Sequence, residues 1–141
     1  MKNQIYPCLW FETQAKEAAM FYCSIFKNSK ITADNGMVVT FDLNGIQFMG
    51  LNGGPEFKFN EAVSFVVDCE TQEEIDHYWD KLTSGGGSEG QCGWLKDKFG
   101  LSWQIVPAIL PELMSDPEKG QRVLQVYMKM KKFDIKALQE A

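Results

Sequence analysis

The chain has 141 residues, a length typical of one domain, and its hydrophobic share of 45% and charged share of 23% are ordinary for a globular protein. Its net charge of −5 argues against nucleic-acid binding, because phosphate contacts supply much of that affinity. No apolar stretch approaches the roughly 20 residues of a membrane-spanning helix. The four cysteines (Cys8, Cys23, Cys69, Cys92) form no Cys-x-x-Cys pair, and the apolar run near the N-terminus is too short for a secretory signal. We therefore expect free thiols and a cytoplasmic location.

The first third of the chain predicts a strand, a helix and hairpins. The apolar run at 5–11 is typical of a buried strand, and Thr13 is the predicted N-cap of the next helix. Asn-Gly pairs at 35–36 and 44–45 favour type I′ turns on either side of an alternating strand. The predicted apolar face of the helix comprises Ala15, Ala18, Ala19, Tyr22, Ile25 and Phe26.

The same order of elements returns in the second half of the chain. The apolar run at 62–69 predicts a strand, and Thr71 with Glu74 predicts a capping box on a helix that three glycines at 85–87 end. The strands "GWLKD" and "LSWQIVP" then flank a turn at "KFG". The apolar face of this helix comprises Ile75, Tyr78, Trp79 and Leu82. We therefore predict an α+β protein built from two tandem βαβββ modules.

A helical extension is predicted to follow the second module. "AILPELM" after Pro107 predicts an irregular connection, Asp116 followed by Pro117 favours a helix start, and Asp134 favours a cap on one more short helix. The apolar face of the longer helix comprises Val123, Leu124, Tyr127 and Met130. The predicted parts of this single domain, residues 1–141, are module one at about 4–53, module two at about 61–107 and the C-terminal extension at about 116–141.

Three stretches of the chain resemble a known family: "PCLWFETQAKEAAMFY", "LNGGPEFKFNEAVSF" and "CGWLKDKFGLSWQIVP". They are similar to the PhnB-like branch, labelled 3-demethylubiquinone-9 3-methyltransferase, of the vicinal-oxygen-chelate superfamily of glyoxalases, bleomycin-resistance proteins and dioxygenases. The resemblance implies a glyoxalase/bleomycin-resistance-type cupped sheet and a homodimer, for which Met128, Met130 and Phe133 are candidate contacts. The loop at 30–36 looks short beside the usual insertion of this branch.

The resemblance also implies where a metal would be held. Enzymes of the superfamily take the ligands of a divalent ion from the first and last strands of each module. The corresponding positions here are Tyr6 or Pro7, Met49, Ala62 and Gln104. Because proline and alanine offer no donor atom, thioether is soft and amide is neutral, we predict no tightly held metal and no cofactor. The single histidine, His77, lies off the apolar face of its helix, and we expect it at the surface.

Cys92 lies just before a predicted strand, beside Trp94. A nucleophilic cysteine needs a base or cation nearby, which Lys96 or Lys98 could supply, and a cysteine in a pocket wall needs neither. We favour the pocket wall. Asp97 is expected to organise the turn that follows it.

An aromatic cup without a metal is typical of a site for a small apolar or aromatic molecule. The predicted ligand-binding residues are Trp10, Phe48, Asn52, Phe57, Phe59, Cys92, Trp94, Trp103 and Gln104. For each aromatic side chain the alternative is core packing. Asn52 and Gln104 would orient the ligand by hydrogen bonds, and Asn60 is a weaker polar candidate.

Three functions remain open. The one we favour is metal-free binding of a small molecule. The second is a superfamily enzyme that uses an atypical metal site, or that uses Cys92, Asp97 or Tyr6 as catalysts. The third is a partner-binding module or a methyltransferase. A nucleotide-type cofactor needs a glycine-rich turn that opens a helix. Here the glycines at 53–54 lead into Pro55, and those at 85–87 end a helix, so the methyltransferase reading fits poorly.

Overall fold

The computed structural model describes residues 3–141. The chain divides into two compact units, Met1–Phe59 and Asn60–Ala141. Each unit holds one strand, one helix and three further strands in that order, which confirms the predicted α+β class and the duplicated βαβββ module. The single domain over 1–141 stays a prediction. Within the described range, no helix combines the length and apolar character that crossing a membrane requires.

The first unit is a four-stranded sheet with one helix against it. Its elements are β1 (Cys8–Phe11), α1 (Ala15–Ile25), β2 (Lys30–Asp34), β3 (Val38–Leu43) and β4 (Ile46–Asn52). The strand order is β1-β4-β3-β2, with β1 parallel to β4 and the other pairs antiparallel. The alanines of α1 are fully buried, and a Cβ on Gly50 of β4 would lie 3.2 Å from the Cβ of Ala15, so helix and sheet pack closely.

Three local predictions for the first unit are wrong. Residues 30–34 form the edge strand β2, not a loop, because they pair with β3 around a bulge. Both residues of the pair at 44–45 have positive φ, as a type I′ turn requires. In the pair at 35–36 only Gly36 has positive φ, and Asn35 Oδ1 accepts hydrogen bonds from the N–H groups of Met37 and Val38. The N-cap position of α1 is Gln14 rather than Thr13.

The second unit repeats this arrangement. Its elements are β5 (Ser64–Cys69), α2 (Gln72–Thr83), β6 (Ser88–Glu89), β7 (Trp94–Lys96) and β8 (Ser102–Pro107), in the strand order β5-β8-β7-β6. Strand β5 is parallel to β8, and the other pairs are antiparallel. The predicted capping box of α2 is confirmed by reciprocal hydrogen bonds between Thr71 and Glu74. Ile75, Trp79 and Leu82 are buried, and His77 is exposed.

Three short helices follow the second sheet: α3 (Leu110–Ser115), α4 (Lys119–Tyr127) and α5 (Ile135–Gln139). The irregular connection predicted after Pro107 is wrong, because most of it is helix α3. Asp134 caps α5 at the N–H of Ala137, as predicted. The predicted N-cap at Asp116 is wrong, because α4 has Glu118 at its N-cap position, although the Asp116 carboxylate accepts hydrogen bonds from the N–H groups of Glu118 and Lys119 in the turn before the helix.

Cys69 ends β5 inside the core of the second unit. Its side chain is fully buried, and burial, with smaller contributions from the charges of Glu74 and Asp68, raises the pKa of the thiol from its ordinary value of 9.0 to about 12. A thiolate is the reactive form of cysteine, and this thiol stays protonated at neutral and mildly basic pH.

We expect native protein at pH 8 to react with iodoacetamide at the exposed Cys8 and not at Cys69, as read by peptide mass spectrometry. Unfolding in urea should bring Cys69 to the rate of Cys8. Because the folded pKa is raised, stability should fall as pH rises above about 9, where only the unfolded thiol ionises. Modification of both thiols at equal rates in the native state would contradict this placement.

Candidate functional site

The second sheet has two different faces. Leu95, Trp103 and Ile105 point to the α2 side and are buried there. Side chains of alternate residues point the other way, to what we call the open face, and they comprise Ser64, Val66, Asp68, Trp94, Lys96, Ser102, Gln104 and Val106. Trp94 pairs with Gln104 and Lys96 pairs with Ser102, so these four side chains are neighbours on one surface.

A cavity of about 260 Å³ lies on this open face, over strands β6, β7 and β8. Its lining residues are Glu61, Ser88, Glu89, Gly90, Trp94, Leu95, Lys96 and Ser102. We call this cavity the Trp94 pocket. The half-buried indole of Trp94 supplies apolar surface, and Gly90 donates its N–H to the Trp94 carbonyl at 2.8 Å, which holds the turn between β6 and β7.

Ser102 forms an unusual part of the pocket. Its side chain is 1% exposed, and its Oγ has no hydrogen-bond partner among residues 3–141. Leaving a buried hydroxyl without a partner is costly, by about 1–3 kcal/mol, so native structures rarely do it without a reason. A hydroxyl in this state, in the lining of a pocket, is positioned to bond to a molecule that enters.

Charged groups surround the mouth of the pocket. Lys96 Nζ lies 3.0 Å from Glu61 Oε1, with the Lys96 side chain 43% exposed and the Glu61 side chain 62% exposed. The hydrogen bond from Lys96 lowers the pKa of Glu61, so this carboxyl is ionised at neutral pH. Glu89 adds a second carboxylate to the pocket. A hydrogen bond to Asp76 is the main cause of the raised pKa of Lys132, and the charge of Glu89 contributes to that shift.

Gln104 lies beside the pocket on the open face, and its Nε2 donates to Ser64 Oγ at 2.9 Å. Trp103, its neighbour in sequence, points to the other face, is 3% exposed and donates its indole N–H to Asp97 Oδ2 at 2.9 Å. The structure therefore places Trp103 in the core of the second unit. Asp97 organises the turn as predicted, because its Oδ1 accepts from the N–H groups of Phe99 and Leu101.

Cys92 contacts the C-terminal segment rather than the Trp94 pocket. Its N–H donates to the Met130 carbonyl, and the N–H of Gly93 donates to the Lys131 carbonyl, both at 2.8 Å. Cys92 Sγ lies 3.9 Å from the Met128 carbonyl oxygen. These contacts make residues 92–93 a docking point for the chain after α4. Phe133 is buried within the second unit, at 2% exposure, so it is not accessible for the dimer contact predicted for it.

The other predicted ligand-binding residues lie in the first unit. Trp10 donates its indole N–H to the Gly54 carbonyl at 2.9 Å, and Phe57 meets its ring edge-on at a centroid distance of 4.8 Å. A Cβ on Gly53 would lie 2.4 Å from the Trp10 ring, so the glycine pair gives the indole a place to lie against the backbone. Phe59 packs against Phe11 in the same way. Phe48 is buried beneath α1.

Asn52 has a structural role. Its Oδ1 accepts from the N–H of Ala15 at 2.9 Å, and its Nδ2 donates to the Gly36 carbonyl at 3.1 Å. The side chain thus caps α1 from the neighbouring strand and ties the turn at 35–36 to it. Asn60, the weaker candidate, accepts from the Ala62 N–H in a local turn. Both amides already have partners within their own unit, so neither points to a ligand.

The strand registers change two of the four metal positions. Cys8, not Tyr6 or Pro7, pairs with Met49 in the first unit, and Ala62 precedes β5, where Ser64 stands beside Gln104. Thioether, hydroxyl and amide are weak ligands of a divalent ion, and Cys8 adds a single thiol, so neither pair supplies the three protein ligands of a catalytic zinc site. Across residues 3–141, no group of three or more His, Cys, Asp or Glu is arranged to hold a metal.

Sequence reasoning identified Trp94 and Gln104 but missed Ser102, Glu61 and Glu89. Alternation along β8 puts Ser102 on the same face as Gln104, so that signal was present in "LSWQIVP". The approach of Glu61 to Lys96 joins residues 35 positions apart in sequence, and nothing in the local pattern indicates it.

The two repeated sheets and their helices define the glyoxalase/bleomycin-resistance fold of the vicinal-oxygen-chelate superfamily. Within it, residues 3–106 match the family described as 3-demethylubiquinone-9 3-methyltransferase, and the chain belongs to that family. The match ends before α3, so the C-terminal helices lie outside it.

One solved structure supports the same family, and two more distant ones share the fold. The PhnB protein from Bacillus cereus is 36% identical, with a TM-score of 0.69 over 75% of this chain and 100% of its own. The fold is shared by a glyoxalase-related enzyme from Fulvimarina pelagi, which is 14% identical with a TM-score of 0.54 over 73% of this chain and 86% of its own. It is also shared by the fosfomycin resistance protein FosX from Listeria monocytogenes, which is 14% identical with a TM-score of 0.55 over 74% of this chain and 92% of its own. No curated protein matches the chain.

Proposed function

We propose that this protein binds a small, flat organic molecule in the Trp94 pocket of its second unit. The buried Ser102 hydroxyl carries this proposal, because it has no partner within residues 3–141 and lines a cavity. The indole of Trp94 offers a face on which a planar ring can stack, an arrangement that stabilises aromatic pairs by about 0.5–1.5 kcal/mol beyond burial. Aromatic surface with a few convergent polar groups is the usual composition of a ligand site.

The size of the cavity limits the ligand. Pockets for drug-sized molecules begin at roughly 300 Å³, so a cavity of about 260 Å³ suits a molecule of one or two rings. The metal-free state, the homodimer and the cytoplasmic location remain predictions beside this one. The glycines at 53–54 are accounted for by the Trp10 ring, so they do not support a nucleotide-type methyltransferase site.

Ser102→Ala separates binding from folding. We expect the variant to unfold at the same urea midpoint as the wild type or slightly higher, because it removes a buried hydroxyl that has no partner in the free protein. Its affinity for a planar probe, trans-cinnamamide, should fall roughly three- to tenfold. Affinity would be read from the shift of the Trp94 indole N–H signal in proton–nitrogen spectra, assigned by its loss in Trp94→Phe.

Ser84→Ala is the matched control, since that hydroxyl is exposed and bonds to the Lys81 carbonyl at the end of α2. It should leave affinity unchanged. If Ser102→Ala weakens folding and leaves cinnamamide binding intact, the hydroxyl is part of the core and the proposal is wrong.

A further inference from the structure

We propose that the ligand of the Trp94 pocket carries a carboxylate, bound jointly by Lys96 and Ser102, and that Glu61 pairs with the Lys96 ammonium in the free protein. This inference rests on the proposed function and names the chemical class of its ligand: a flat aromatic or conjugated carboxylic acid.

The two donors lie side by side. Lys96 and Ser102 are directly opposed residues of antiparallel strands β7 and β8, a relation that places Cβ atoms about 4.5–5.5 Å apart on the same face. An ammonium group has three donors and a hydroxyl has one, so together they can bond both oxygens of one carboxylate. Hydrogen bonds from such donors to an ionised acceptor are roughly twice as strong as neutral ones.

The ion pair with Glu61 shows that the Lys96 ammonium can bind a carboxylate. Glu61 Oε1 lies 3.0 Å from Lys96 Nζ, but the Glu61 side chain is 62% exposed and leaves the Ser102 hydroxyl without a bond. The internal carboxylate therefore uses one of the two donors and stays at the mouth of the pocket. Exposed ion pairs contribute little to stability, so an incoming carboxylate that reaches both donors can displace it at small cost.

The spacing along β7 fits such a molecule. Trp94 and Lys96 are two residues apart on one strand, so their Cα atoms are separated by about 7 Å and their side chains share the open face. A ring stacked on the indole can thus extend a short conjugated arm to the ammonium. The second acidic residue of the pocket, Glu89, repels an anion, and the nearby Lys132 is already paired with Asp76 at 2.8 Å, so the attraction for a carboxylate comes from Lys96.

The test compares two probes of the same shape, trans-cinnamate and trans-cinnamamide, which differ in charge. We expect the wild type to bind cinnamate roughly five- to tenfold more tightly at pH 7, read from the Trp94 indole N–H shift. Glu61→Gln should raise the affinity for cinnamate roughly two- to fivefold, because the competing carboxylate is removed, and should leave cinnamamide unchanged.

Lys96→Met should abolish the preference for the acid while cinnamamide still binds. Lys98→Met is the control of equal charge, since Lys98 lies in the following turn against Phe99 and Gly85, outside the residues that line the pocket, and the preference should survive there. Equal affinities for both probes in the wild type, or a Glu61→Gln variant that binds cinnamate more weakly, would overturn the carboxylate inference alone. Failure of both probes to shift Trp94 would overturn the proposed function as well.

Discussion

Replacing Gly93 by alanine is expected to destabilise the second unit by roughly 3–5 kcal/mol. Two independent penalties contribute to this loss of unfolding free energy, one from the backbone conformation and one from steric clashes. Gly93 has φ +82°, in the left-handed region that residues with a Cβ populate at a cost. The new Cβ would lie 2.5 Å from Cε2 of the buried Phe133 ring and 2.8 Å from the Ile105 carbonyl oxygen, so the ring or the strand must move.

The measurement is equilibrium urea unfolding, with Gly100→Ala as the matched control. Gly100 has a similar φ of +88°, but a Cβ there meets open space in the described part of the chain, so its variant should lose only about 1–2 kcal/mol. The difference between the two variants isolates the combined clash with the Phe133 ring and the Ile105 carbonyl oxygen from the cost of the positive φ. Equal losses for Gly93→Ala and Gly100→Ala would show that Phe133 does not dock where the structure places it.

Asp97→Ala is expected to cost about 3 kcal/mol or more of unfolding free energy. The carboxylate is 3% exposed and accepts three hydrogen bonds, from the N–H groups of Phe99 and Leu101 and from the indole of Trp103. Bonds to a charged acceptor contribute about 1.5–3 kcal/mol each, and removing the acceptor leaves buried donors without it. The loss should appear in urea unfolding together with a change in the fluorescence of Trp103.

Asp68→Ala is the control for loss of one negative charge, since Asp68 is exposed on β5 of the same unit, and it should stay within about 0.5 kcal/mol of the wild type. A double-mutant cycle with Trp103→Phe assigns part of the Asp97 effect to the indole bond. Because the contact is short and buried, we expect the two substitutions to be non-additive in unfolding free energy. Additive effects would mean that the bond contributes nothing to stability and would contradict this account.

Much of the fold was predictable because its signals are local. The capping box at Thr71 and Glu74, the alternation along β3 and the positive-φ pair at 44–45 act within a few residues. Strand β2 was missed because it is short and mostly exposed, so its alternation of Ile31 and Ala33 with polar residues is a weak signal and pairing with β3 reveals the strand. The cap that Asn52 provides for α1 joins positions 37 apart, which no local rule indicates.

The candidate site was predictable only in part for the same reason. The aromatic residues singled out in the sequence divide between roles that depend on partners distant in the chain. Trp103 is buried against Asp97, Trp10 holds the glycine turn, and Trp94 alone of these three lines the cavity. Cys92 proved to be a docking point, since its partners lie in the C-terminal segment. The partnerless hydroxyl of Ser102 becomes visible only once the burial of each atom is known.

One titration tests the central claim most directly. Proton–nitrogen spectra of the wild type contain one indole N–H signal for each of the four tryptophans, and trans-cinnamate would be added stepwise at pH 7. A ligand site in the pocket predicts a saturable shift of the Trp94 signal while that of Trp79, buried on α2, stays in place. A Trp94 signal that stays in place to the solubility limit of the probe, or a shift confined to Trp10, would contradict a ligand site on the open face of the second sheet.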